Sequence, residues 1–368
     1  MTANRLRQLQ DLGQSVWLDY IDRALLETGE LARLIQEDAV SGVTSNPAIF
    51  GKAIASGGYD GDIARLARGR APVEVYDALT VGEVQRAAEL LRPVYDASGG
   101  RDGYVSLEVS PRLADDTAAT IAEGQRLAAA VARANLMIKV PATRAGLPAI
   151  RALLAQGINV NVTLLFGRNR YRDVVEAFLA GLEDRTAAGR PLDSVASVAS
   201  FFLSRIDTLV DARLDRDPRP AAAALRGRAA IASARLAYSY YTEWTIGPRW
   251  RALVADGARP QRLLWASTST KDPAYADVKY VNALIGPDTV TTLPPETLRA
   301  YRDHGEPAAR LSDDLPAARG LPAQLAALGI DLEDVATVLE REGVRLFVEP
   351  YDRALAALSQ RVQPATEG

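Results

Sequence analysis

Cysteine is absent from all 368 residues. Its absence excludes disulfides, thiolate nucleophiles and cysteine-ligated zinc. Histidine occurs once, as His304, which removes histidine-cluster metal sites and leaves a serine-type triad hanging on one residue in a polar stretch. No apolar run reaches the length of a membrane span, and the N-terminus lacks the apolar stretch of a signal peptide. The expectation is a soluble, cytoplasmic chain with no membrane partner. An excess of one charge is missing too. The formal net charge is −3, which gives no nucleic-acid footprint. Gly57-Gly58 and Gly99-Gly100 fit neither dinucleotide fingerprint and read as turns. The scarcest feature that matters is lysine. Of 43 basic residues only Lys52, Lys139, Lys271 and Lys279 are lysine, in a chain that otherwise writes arginine.

One of those four lysines lies inside an apolar run, Leu136-Met137-Ile138-Lys139-Val140-Pro141-Ala142-Thr143. A run this short, ended by proline, reads as a buried strand. Burial disfavours the charged form of an amine, and a neutral amine is a nucleophile that forms Schiff bases with carbonyl compounds. The alternative is an edge-strand lysine that faces water.

The rest of the chain alternates strands with helices. Strand candidates are Ser15–Tyr20, Gly42–Pro47, Tyr104–Val109, the lysine run, Ile158–Thr163, Ser197–Phe202, Leu263–Ser267 and Asp288–Leu293. In the fifth, Asn159, Asn161 and Thr163 share one face. Thr80 and Glu83 fit a capping box opening a helix to about Tyr95. Eight strands alternating with helices predict an α/β fold, a parallel (β/α)8 barrel over residues 1–300. A helical insertion near 206–256 interrupts the rhythm. A helical C-terminal extension over 301–368, with helices at Leu332–Arg341 and near Pro350–Arg361, packs on the barrel. Polar residues cluster where strands end: Asp19, Asn46, Glu108, Lys139, Asn161, Thr163, Ser200, Arg205 and Ser267. Barrels of this kind build their active sites there.

A lysine beside carboxylates, amides and hydroxyls, with no metal set, suits Schiff-base chemistry on a polyhydroxylated carbonyl compound. A Schiff base stabilises a carbanion beside the former carbonyl carbon, which makes and breaks C–C bonds in ketoses. Proton transfer at the neighbouring hydroxyl needs an acid or base, and Asp19 and Glu108 are at hand. Arg205 suits a phosphate, because its fork holds two oxygens at once. Each residue also has an ordinary reading. Asp19 reads equally as a loop or capping acid, Glu108 as the partner of Arg112, Asn46 as a helix cap before Pro47, and Arg205 as a solvated first-turn arginine. Tyr238, Tyr240, Tyr241 and Trp244 read as helix packing, Phe201 and Phe202 as at least partly core, and His304 as a surface residue.

With these segments in view, the sequence resembles the transaldolase family in its longer bacterial form. The resemblance rests on Val16-Trp17-Leu18-Asp19, Thr44-Ser45-Asn46-Pro47, Ser106-Leu107-Glu108-Val109, Ile138-Lys139-Val140-Pro141-Ala142-Thr143 and Gly157-Ile158-Asn159-Val160-Asn161-Val162-Thr163-Leu164-Leu165-Phe166. Ser200-Phe201-Phe202-Leu203-Ser204-Arg205 and Ala266-Ser267-Thr268 follow in order. It spans residues 10–295 and leaves the tail beyond 300 outside. It implies a (β/α)8 barrel, no cofactor, no metal, and small sugar phosphates as partners, with homodimer and monomer both open. The family moves a dihydroxyacetone unit from sedoheptulose 7-phosphate to glyceraldehyde 3-phosphate in the non-oxidative pentose phosphate pathway.

The resemblance further implies that Lys139 forms the Schiff base and that Glu108 and Thr163 hold a catalytic water. Asp19 would serve the hydroxyl whose proton leaves as the bond breaks. Asn46 and Asn161 would hold the dihydroxyacetone unit, Ser200 and Phe202 would line the pocket, and Arg205 would bind phosphate. The shorter members carry a second phosphate-binding arginine after the seventh strand. This chain has Ser267-Thr268-Ser269-Thr270-Lys271 there, so Lys271 is the candidate. Two rival readings are a fructose-6-phosphate-type aldolase that releases dihydroxyacetone to water, and a non-catalytic barrel that binds sugar phosphates.

Overall fold

A computed structural model describes residues 4–361. Eight strands form one closed parallel barrel in sequence order: β1 Gln14–Leu18, β2 Val40–Val43, β3 Tyr104–Glu108, β4 Leu136–Pro141, β5 Val160–Leu165, β6 Ser197–Phe202, β7 Arg262–Ala266 and β8 Thr289–Leu293, with β8 pairing back to β1. Seven lie within two residues of their expected place; β2 ends at Val43, four residues short of the expected Pro47, because Asn46 and Pro47 open the next helix. The strands are buried along both faces, as a barrel ringed by helices requires. That is why they are short, apolar and rich in β-branched residues.

The lower end of the barrel is closed by side chains. Arg262 and Asp102 pair at 3.0 Å, and both are buried. Asp102 also accepts from Ser15 Oγ at 2.7 Å and Trp17 Nε1 at 3.1 Å, while Arg262 donates to Ser15 Oγ at 2.7 Å. Gln14 and Gln261 add hydrogen bonds to Thr289 and Ser197 at the same level. Just above, the Trp17 indole lies flat on Gly42, its neighbour across β1 and β2. A Cβ on Gly42 would come within 2.5–2.7 Å of three indole atoms, so only glycine fits there.

Two expectations about helices change, those at Thr80 and at the C-terminus. The long helix after β2 begins at Pro72, where Glu74 reaches back to the Ala71 backbone N–H, and runs to Ala97. Thr80 and Glu83 are therefore interior residues and no cap; Glu83 is buried against Arg23. The stretch between β6 and β7 is four helices, Ser204–Leu214, Pro220–Ala223, Ala229–Trp244 and Pro248–Ala255. At the C-terminus the two expected helices are one, Leu332–Ser359, with Pro350 inside it. Proline removes one helical hydrogen bond there, but Phe347, Tyr351 and Ala354 are buried on either side of it and hold the helix down. No helix among the described residues is long and apolar enough to cross a membrane.

Candidate active site

The upper mouth of the barrel holds a cavity of about 190 Å3. Asp19, Asn46, Lys139, Ser200, Phe202, Arg205, Ser267 and Lys271 line it, together with Thr44, Thr292, Glu296 and Phe347. Larger hollows lie on the flanks, one of about 320 Å3 beside Tyr20 and Arg33 and one of about 380 Å3 beside Arg172 and Tyr240. Neither contains the lysine or the acids around it, so the mouth is where the chemistry converges.

The strand register assembles the centre. Glu108 stands opposite Lys139 across β3 and β4, and Lys139 stands opposite Asn161 across β4 and β5. The amine is 3.8 Å from Glu108 Oε2 and donates to the Ser45 carbonyl at 3.1 Å. Lys139 is 4% exposed, which decides between its two readings: it faces the barrel interior. Glu108 is equally withdrawn and does not pair with Arg112, which binds Asp352 instead. Burial pushes the Glu108 carboxyl up to about 7; the Asp19 charge adds to this and Lys139 opposes it. A carboxyl poised there can give and take protons near neutral pH.

Asp19 lies just past β1, where its N–H extends the ladder to Leu293. Its Oδ1 accepts from Thr44 Oγ1 at 2.7 Å, and that hydroxyl also meets Thr292 Oγ1 at 2.9 Å. Burial raises the Asp19 carboxyl above the usual range, against the pull of Lys139 and of the Thr44 hydrogen bond.

Asn161 and Thr163 are buried behind the lysine and do not line the mouth. Asn161 donates to Ser106 Oγ at 3.0 Å and accepts from Ser200 Oγ at 2.7 Å. Thr163 Oγ1 and Glu108 Oε2 have no hydrogen-bond partner in the described chain. Buried oxygens of this kind are acceptor sites for a water or a substrate hydroxyl. Directly after Thr163, Leu164 adopts φ of 56°, and the register against β6 shifts between Val162 and Leu165. Such bulges re-aim side chains beside active sites. Asn46 serves two ends. Its Oδ1 caps the Pro47–Ala55 helix by accepting from Ala48 and Ile49 N–H, which leaves its amide N–H groups for the cavity.

Across the mouth, Arg205 sits on the first turn after β6, its guanidinium 5.7 Å from the Phe202 ring centre. Its Nη1 is buried without a partner, and burial lowers its pKa against the opposing charge of Glu342. A desolvated, unpaired fork beside a cavity is an anion site in waiting. The helix that carries it is anchored by Asp207, which accepts from Ala230 N–H, Lys279 and Tyr280. Lys271 is exposed at the rim and donates to Ser269 Oγ at 2.8 Å. Ser267 adopts φ of 55° and its hydroxyl meets that of Ser204 at 2.8 Å.

Away from the mouth, Tyr238, Tyr241 and Trp244 pack against one another in helix Ala229–Trp244, and His304 is an exposed partner of Asp277 and Asp303. Among the described residues no group of His, Cys, Asp or Glu could hold a metal ion.

Sequence reasoning missed Thr44, Thr292, Glu296 and Phe347. Thr44 stands inside a segment already singled out, so its signal was available. Phe347 carries no local signal, because its spacing on an amphipathic helix is that of any core residue.

The model of the family described as Transaldolase/Fructose-6-phosphate aldolase matches residues 16–358. The tail beyond 300, expected to lie outside the resemblance, is thus inside the match. A transaldolase of Parafrankia sp. (strain EAN1pec) is 51% identical over 363 residues, covering 98% of each chain. One of Frankia alni is 50% identical over the whole of both chains, and transaldolase 2 of Nostoc sp. is 45% identical over 99% of each. The chain belongs to the transaldolase/fructose-6-phosphate aldolase family.

Proposed function

We propose that this chain works as a transaldolase. It transfers a dihydroxyacetone unit from sedoheptulose 7-phosphate to glyceraldehyde 3-phosphate, giving erythrose 4-phosphate and fructose 6-phosphate. The observation that carries the reading is the buried Lys139 amine set between Glu108 and the mouth that Asp19 lines. Lys139 attacks the ketose carbonyl. Glu108, with Thr163, holds a water that moves protons as the carbinolamine loses its hydroxyl. Asp19 takes the proton of the hydroxyl whose carbon leaves as the aldehyde. The free amide hydrogens of Asn46 and the Asn161–Ser200 pair orient the three-carbon unit. Phe202 and Ser267 shape the pocket wall.

Arg205 binds the terminal phosphate, with Lys271 as the second charge. Both a homodimer and a monomer are compatible with this reading. The division into a barrel to about residue 300, an insertion near 206–256 and a C-terminal extension goes with this reading. So does a cytoplasmic location, where sugar phosphates are at hand.

Borohydride reduction with fructose 6-phosphate tests it. A dihydroxyacetone-derived adduct is expected on Lys139, and none in Lys139→Arg or Lys139→Met, since guanidinium stays protonated and methionine has no amine. An adduct on Lys52, Lys271 or Lys279 overturns the assignment. The family description also names fructose-6-phosphate aldolase. Product analysis with and without an aldehyde acceptor separates transfer from simple release.

A further inference from the structure

The C-terminal helix Leu332–Ser359 crosses the mouth of the barrel as a strut. At one end Glu333 and Ala336 press on Gly167 beyond β5, where an added Cβ would come within 2.9 and 2.8 Å of them, and Glu340 pairs with Arg170 at 3.0 Å. Midway, Gly343 lies against the Leu164 bulge so closely that a Cβ would sit 2.9 Å from the leucine side chain. At the far end Tyr351 packs edge-on against Tyr76 at 5.1 Å, and Asp352 holds Arg112 at 2.8 Å. Between these anchor points the helix lowers one large apolar side chain into the cavity. The Phe347 ring is 5% exposed, lines the mouth, and has its centre 5.8 Å from the Lys139 amine. Phe202, the other aromatic side chain lining the cavity, lies beside Arg205 instead.

We propose that Phe347 is a specificity-determining residue that sets whether the bound three-carbon unit passes to an aldehyde or is lost to solvent. The inference rests on the Schiff-base reading of Lys139. Once the first aldehyde has left, the unit is joined to Lys139 nitrogen as an enamine. In transfer, the enamine carbon attacks the acceptor's carbonyl carbon. A C–C bond forms, and the aldehyde oxygen takes a proton. In release, the same carbon takes a proton that originates in water. Both routes then add one water at the iminium carbon and break the C–N bond, returning the free amine. The routes differ only in what reaches the enamine carbon.

An aromatic ring at this spot acts on that difference directly. It occupies the volume that a proton-bearing water would fill. The helix holds the ring from both ends, so water is excluded without any closing motion.

The test uses the full chain carrying Phe347→Ala, Phe347→Gln or Phe347→Leu. Fructose 6-phosphate is the donor, with and without erythrose 4-phosphate, and dihydroxyacetone released is compared with dihydroxyacetone transferred. Phe347→Ala and Phe347→Gln should raise the release-to-transfer ratio about 10-fold or more, the scale on which one apolar group discriminates in a pocket. Phe347→Leu keeps an apolar plug and should stay within about 3-fold of the parent. Glutamine fills more of the space than alanine while removing the apolar ring, so it covers the case in which the alanine variant does not fold. An unchanged ratio in folded Phe347→Gln overturns the proposal, and so does an equal rise in Phe347→Leu. Borohydride trapping on Lys139, run on all variants, is read separately: if the parent chain itself shows no adduct, the Schiff-base reading fails and not the role of Phe347.

Discussion

Glu108 and Lys139 occupy directly paired positions on β3 and β4, with the amine nitrogen 3.8 Å from a carboxylate oxygen that no other group satisfies. A tight ion pair would sit closer and be saturated. This one is open on one side, which is what a proton shuttle needs.

Glu108→Gln keeps the shape and removes the proton exchange. We expect kcat to fall by roughly 10²–10⁴-fold, the range of general acid–base catalysis, with the protein still folded. Full activity in the glutamine variant would return Glu108 to a structural role.

The same substitution has a stability signature. The Glu108 carboxyl rises to about 7 on folding from an ordinary value of 4.5. Between those two pH values the folded chain holds a proton that the unfolded chain has released, so this group's contribution to stability is full below 4.5 and is lost as pH rises through 7. The loss is on the order of 3 kcal/mol at one pKa unit per ~1.4 kcal/mol. In urea titrations, the stability of Glu108→Gln relative to the parent chain should therefore climb from pH 4.5 to pH 8. A flat difference would contradict the buried carboxyl.

Thr44→Val removes the hydrogen bond that lowers the Asp19 carboxyl. Asp19 must be ionised to accept the substrate proton, so the acid limb of the kcat/KM profile should move to higher pH while KM for the phosphate-bearing half changes little. A limb that stays in place would mean another group sets it.

Arg205→Ala should raise KM for fructose 6-phosphate, with a transition-state loss of about 2–5 kcal/mol, as for truncation of a buried charge partner. Unphosphorylated fructose should lose little. Equal losses for both substrates would show that the phosphate binds elsewhere, with Lys271 the next residue to change.

Gly42→Ala tests the lower barrel. The added methyl meets the indole of Trp17, which cannot swing away because Asp102 holds its Nε1. Overpacking of this kind costs about 1–3 kcal/mol. The urea midpoint should fall accordingly, and an unchanged midpoint would mean that Trp17 has room to move.

The strands were readable because each is a short, buried, β-branched run, and because parallel barrels put their polar residues where strands end. Asp19, Glu108, Lys139, Arg205 and Ser267 all reach the mouth or its wall for that reason. Helix ends were less readable. Thr80 and Glu83 have the spacing of a cap but sit inside a helix that Pro72 and Glu74 had already opened. Pro350 has the look of a boundary, yet packing on both sides overrides it. Two features of the site had no trace in the sequence. The Ser45 acceptor of Lys139 is a backbone carbonyl, and Phe347 reaches the lysine from more than two hundred positions away only because the last helix crosses the mouth.

The floor knit by Arg262, Asp102, Ser15 and Trp17 closes the lower end of the barrel and makes it a vessel that fills from its mouth. A two-substrate exchange in such a vessel has to be of the ping-pong kind, with the first product gone before the second substrate binds. The aldehyde cut from the donor leaves by the route through which the acceptor arrives, so each must wait for the other. Initial-rate plots at several acceptor concentrations should then be parallel lines, and the departing aldehyde should compete with the incoming one.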